Sequence, residues 1–113
     1  MLHSHVEDTY YIDILKYIYI IYHIDTAQIL KSMADDTRLA IIRKLATKTD
    51  EVACKEIVND CSIALQLSQP TMSHHLARLV QTGVVLERKL GKEKFYKLNH
   101  ELLLSSGINP EKL

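Results

Sequence analysis

The chain has 113 residues, with 14 Lys or Arg against 14 Asp or Glu, so its overall charge gives no reason to expect a polyanionic partner. The distribution does: residues 1–36 carry −4 and residues 67–97 carry +4, a split suited to a molecule that turns one basic side toward nucleic acid. The length allows one domain with a modest core, and two cysteines with no basic leader segment fit a reducing cytoplasm rather than secretion.

Met1 to Asp8 reads as a loose arm, although His3 and His5 could chelate a metal. Tyr10 to Ile24 holds twelve Ile, Leu or Tyr residues in fifteen, and its exceptions, Asp13, Lys16 and His23, share one narrow sector of a helical wheel. That pattern predicts a helix apolar over most of its circumference, while the run YIYIIY also carries strand propensity. It is shorter than the ~20 residues a bilayer requires, so no membrane partner is expected. Its apolar surface exceeds what so small a core can cover, which predicts a two-fold homodimer built on residues 1–24, with residues 25–113 as the DNA-binding domain. No repeat, low-complexity tract or linker interrupts the chain.

Asp25 or Thr26 can cap a helix running to Ala34, and Asp36 can cap another in which Leu39, Ile42 and Leu45 share a face. Asp50 can start a further helix with Cys54, Ile57, Val58 and Cys61 on one side, leading through the less regular SIALQ. The two thiols there read either as buried core or as a redox or metal sensor. Along a continuous helix they stand roughly 10 Å apart, beyond the ~7 Å Cα limit of a disulfide.

The stretch Leu67 to Gly83 is the best-specified element. Ser68 is an N-cap, Pro70 falls in the first turn where a missing N–H costs nothing, Leu67 and Met72 occupy staple positions, and Gly83 can close the C-terminus. Met72, Leu76, Leu79 and Val80 form an apolar stripe. Opposite it stand Thr71, His74, Arg78 and Gln81 with small Ala77, a polar face without a carboxylate, which suits base edges and phosphates. Helix, connection, helix is the helix-turn-helix order, with the recognition helix expected over 69–82. After Gly83 the period falls to 2. Val84 to Leu90 and Glu93 to Leu98 predict a hairpin wing, turning at Gly91 and Lys92, with Arg88, Lys89, Lys92 and Lys94 placed for the backbone or minor groove. Asn99 can cap a last short helix to Ser106, with Gly107 ending it.

The segments ILKSMADDTRLAIIRKL, LSQPTMSHHLARLVQTGVV and KFYKLN together resemble the ArsR-type winged helix-turn-helix repressors over about residues 27–100. The resemblance implies a homodimer that holds a double-stranded operator and releases it to an inducer, and it puts base contacts on Gln69, Ser73 and His74. Ser68, Thr71, His75 and Arg78 complete the expected DNA-facing set, His75 being divided between contact and structure. Members that sense arsenic or cadmium carry a Cys-x-Cys pair, and the matching EVACKEI has Ala53 and Lys55 at those positions. Zinc-sensing members place ligands along a long last helix, whereas NHELLLSSG offers only His100. Residues 59–66 run longer than the usual approach to the turn. The expectation is therefore a mainly α, dimeric winged helix-turn-helix regulator with no cofactor and no metal, and with an unidentified inducer. A winged-helix module for protein contact and a thiol-responsive sensor using Cys54 and Cys61 are the alternatives. An enzyme is not expected: no Gly-rich phosphate loop is present, and adjacent Ser73 and His74 diverge by roughly 100° on a helix, poor geometry for a nucleophile and its base.

Overall fold

A computed structural model describes residues 24–113 together with Ile14, Leu15 and Ile18, except for the side chains of residues 62–64. The expectations for the His3 and His5 arm and for one continuous Tyr10 to Ile24 helix lie outside the described residues. Ile14, Leu15 and Ile18 are helical and exposed.

Helix α1 (Thr26–Met33) begins with a capping box. The Asp25 carboxylate accepts from the Gln28 N–H at 2.9 Å while the Gln28 side-chain oxygen accepts from the Asp25 N–H at 3.2 Å. Spacing of three and four residues then puts Ile29, Ser32 and Met33 on its buried face. Helix α2 (Asp36–Ala46) is capped by Asp35 and not by the expected Asp36. Asp35 is extended and its carboxylate takes the Arg38 N–H at 3.0 Å, whereas Asp36 is already helical, its charge favourable in the first turn. The buried face of α2 is Ile41, Ile42 and Leu45, with Leu39 half-buried.

The helix expected from Asp50 starts later. Val52–Ala53 is a short strand, β1, and helix α3 runs from Cys54–Leu65. β-branched Val52 is buried and pairs with Tyr96, a partner forty-four residues on that local periodicity does not reveal. The expected irregularity over SIALQ is absent, since α3 continues through Leu65 before Gln66 turns the chain at φ +57°. Ile57, Val58 and Cys61 are buried as their spacing predicts.

Helix α4 (Gln69–Gln81) packs on α2 and α3 through Met72, Leu76 and Leu79, which are at most 1 % exposed. The Ser68 hydroxyl accepts the Thr71 N–H at 3.3 Å, Thr82 is the C-cap, and Gly83 at φ +81° makes the left-handed exit. Fully burying each of these apolar side chains stabilises the fold by about 1.5–3 kcal/mol. Strands β2 (Val85–Leu90) and β3 (Glu93–Leu98) form the predicted hairpin, its tip at Gly91 and Lys92 between the Leu90↔Glu93 pair. β1 adds to the far edge of β3, so the sheet has three antiparallel strands in the order β1-β3-β2. Helix α5 (His100–Ser105) is capped by Asn99, whose Nδ2 also donates to the Gly83 carbonyl at 2.9 Å. With the Asn99 N–H on the Val84 carbonyl at 2.9 Å, this clasp fixes the base of the wing to the end of α4. A 3-10 turn, Pro110–Lys112, ends the chain against α2 and α5.

Candidate nucleic-acid interface

The stripe that anchors α4 determines what its other side presents. Gln69, Ser73, His74, Ala77, Arg78 and Gln81 are exposed, so amide, hydroxyl, imidazole and guanidinium groups share a surface with no acid among them. Two residues expected there are occupied locally. The Ser68 hydroxyl is spent on the cap, and the Thr71 hydroxyl, half-buried, lies 2.9 Å from it. Capping fixes the start of the helix.

His75 turns inward. Its side chain is 15 % exposed, and Nδ1 lies 3.1 Å from the Arg38 guanidinium and 3.7 Å from the Asp35 carboxylate. A guanidinium can only donate, so Arg38 is the donor at the shorter contact. Arg38 also donates to the Ser32 carbonyl. Burial pushes the Asp35 carboxyl up, yet the Arg38 N–H and the neighbouring positive charges outweigh it and hold Asp35 below the usual range. Deeper in, the Thr82 hydroxyl donates to Ser32 Oγ at 3.0 Å, and Ser32 donates to the Ile29 carbonyl at 2.7 Å. His75 and Thr82 thus tie the recognition helix to α1 and to the start of α2. His74, its ring edge-on to His75 at 6.0 Å, remains exposed.

On the wing, Lys89, Lys92 and Lys94 are exposed. Arg88 is not presented with them. Its guanidinium grips Glu51 through four contacts of 2.7–3.0 Å and lies 4.9 Å over the Phe95 ring, with 17 % of the side chain exposed. It braces the hairpin to the segment before β1, and sequence alone could not find Glu51 because the pair is thirty-seven residues apart. The Tyr96 hydroxyl donates to Glu87 at 3.0 Å, and Lys94 stands 4.0 Å from the same carboxylate. Burial, then the charge of Glu87, pushes the Tyr96 phenol far above its ordinary value.

Between the start of α3, the start of α4 and the wing tip lies a cleft of about 300 Å³ lined by Lys55, Gln69, Ser73, Lys92 and Lys94, with Glu93 and Cys54 also in its wall. Cys54 is half-exposed and Cys61 buried, both are free, and burial raises the Cys61 thiol. The helix between them is unbroken, as an inert or independent pair requires. Among the described residues, no three of His, Cys, Asp and Glu converge as a metal site, and no helix is long and apolar enough to cross a membrane.

A helix pair ending in an exposed, acid-free second helix, followed by a lysine-tipped hairpin, defines a winged helix-turn-helix DNA-binding transcriptional regulator. A family model described as a helix-turn-helix domain matches residues 33–88. The arsenical resistance operon repressor of Staphylococcus xylosus is 39% identical over 80 residues, covering 70% of each chain. Among solved structures, HlyU from Vibrio cholerae superposes with a TM-score of 0.54 at 34% identity over 72% of this chain and 83% of that one. The transcriptional repressor BigR from Xylella fastidiosa gives 0.52 at 28% identity, covering 67% and 71%. The chain belongs to the ArsR-type family of helix-turn-helix transcriptional regulators.

Proposed function

We propose that the chain is a cytoplasmic homodimeric repressor that reads operator DNA with Gln69, Ser73, His74 and Arg78 in the major groove and holds the flanking backbone with Lys89, Lys92 and Lys94. The observation that carries this is the outer face of α4: exposed, rich in donors, free of carboxylate, and flanked by the wing lysines. Arg88 and His75 are left out of the contact set because Glu51 and Arg38 engage them, and Ser68 and Thr71 act by shaping the helix start. Exposed Ile14, Leu15 and Ile18 support a dimer built on the amino-terminal segment, to which Leu30 at 50% and Leu104 at 58% exposure add apolar surface. With Ala53 and Lys55 at the expected thiol positions, the inducer is not trivalent arsenic held by that pair; a non-metal signal or thiol oxidation fits better.

The test is a base-by-base binding series on DNA from upstream of the gene. His74→Ala and Gln69→Ala should each cost about 1–3 kcal/mol and relax preference at particular base pairs, whereas Lys92→Ala should weaken all duplexes alike. Equal loss on operator and random DNA for His74→Ala would remove His74 from base reading.

A further inference from the structure

The cleft between α3, α4 and the wing tip has two kinds of wall. Ala53, Cys54 and Val58, where β1 runs into α3, make its surface mostly apolar, Val58 being buried and the other two half-buried. Cys54 contributes a free, weakly polar thiol. Three ammonium groups, Lys55 from α3 and Lys92 and Lys94 from the wing, line the same space against one carboxylate, Glu93. Lys94 stands 4.0 Å from Glu87, whereas among the described residues no carboxylate pairs with Lys55 or Lys92. Glu56, the acid next to Lys55, lies 3.2 Å from Lys44 Nζ and 3.7 Å from Lys48 Nζ. A bare inorganic anion gains nothing from the apolar wall, and an uncharged apolar molecule gains nothing from the lysines. The occupant that uses both has an apolar body and one anionic end. The volume of about 300 Å³ is at the lower end of the ~300–1,000 Å³ range of ligand pockets, so that occupant is small.

We propose that the cleft is a ligand site for a small amphipathic carboxylate, its apolar body against Ala53, Cys54 and Val58 and its carboxylate at Lys55 and the wing lysines, and that filling it releases DNA by direct competition. This names the chemical class of the inducer and rests on the DNA-binding reading above. A singly charged carboxylate gives up less hydration beside a mostly apolar wall than a dianionic phosphate does. Competition follows from shared residues. Gln69 and Ser73 line the cleft and belong to the exposed face of α4, and Lys92 and Lys94 line it and belong to the exposed wing tip. A bound carboxylate neutralises lysines that a DNA backbone would use, while its body covers the start of the recognition helix. Such a signal acts without a metal and with both thiols reduced.

The experiment treats the full chain with iodoacetamide and follows alkylation of each cysteine peptide by peptide, with octanoate, octan-1-ol or acetate present. Half-exposed Cys54 reports on the cleft, and buried Cys61 is the internal reference. Octanoate should slow alkylation of Cys54 and not of Cys61. From acetate to octanoate the half-protecting concentration should fall about fourfold per buried methylene until the cleft is full. Lys55→Gln should raise the octanoate requirement about two- to fivefold and leave that of octan-1-ol unchanged. Lys48→Gln, which removes a lysine paired with Glu56 outside the cleft wall, should change neither. On a mixed-sequence duplex, octanoate should displace the wild type over the concentrations that protect Cys54. No protection by octanoate, equal protection by acetate, an octanoate requirement unmoved by Lys55→Gln, or protection with DNA still bound overturns the proposal and leaves the DNA-binding reading intact. A wild type with no affinity for any duplex overturns both.

Discussion

Replacing Arg88 tests whether the wing is a loose basic arm or a braced one. An exposed ion pair contributes at most about 1 kcal/mol, and truncating one partner of a buried pair costs about 3–5 kcal/mol. The Arg88–Glu51 pair, with side chains 17 % and 16 % exposed and four contacts of 2.7–3.0 Å, lies between these limits. Allowing about 0.5–1 kcal/mol for the guanidinium over Phe95, Arg88→Met should destabilise the fold by about 2–3 kcal/mol. For a chain of this size each kcal/mol lowers Tm by roughly 4 °C, so a fall of about 10 °C is expected. Thermal unfolding at fixed protomer concentration measures it, because dimer dissociation would otherwise move Tm by itself. Glu51→Gln and the double variant complete a cycle whose coupling should be about 1–2 kcal/mol. On a non-specific duplex the Arg88→Met salt slope should match that of the wild type. A Tm change under about 2 °C joined to a slope shallower by about 0.9 per protomer would return Arg88 to the DNA contact set and refute the brace.

Other outcomes follow from the same chemistry. Tyr96 and Lys44 both have folded pKa values raised above their ordinary ones, so the stability they contribute is complete below about pH 10 and lost as pH rises beyond it. Tm measured toward alkaline pH should therefore drop steeply above about pH 10, and Tyr96→Phe should remove part of that drop; identical profiles would sink the assignment. Deleting residues 1–24 should convert a dimer to a monomer by light scattering, and a stable truncated dimer would place the interface elsewhere. Purified protein should carry no stoichiometric metal by elemental analysis. Metal-driven operator release that survives loss of both Cys54 and Cys61 would refute a non-metal or thiol signal.

The local signals that sequence carries best are those whose physics is local. Ser68, Pro70, the Met72–Leu76–Leu79 stripe and Gly83 delimited the recognition helix to within one residue of Gln69–Gln81, because capping, a proline-tolerant first turn and helical periodicity all act within a few residues. The hairpin was legible for the same reason. Strand β1 was not legible, since two residues have no periodicity of their own and become a strand only when β3 offers its edge. Nor were the separate fates of like residues. Arg88 and Lys89 are neighbours in the same basic run, and so are His74 and His75 in the same helix. Yet Glu51 and Arg38, each thirty-seven residues away from its partner, hold one of each pair in the fold and leave the other at the surface. Lys55 joins the wing lysines in one cleft only because packing brings the start of α3 beside the hairpin tip. Residue type and spacing decide which groups can meet a phosphate; whether they are already engaged is decided by long-range contacts, whose partners lie too far along the chain for any local pattern to register.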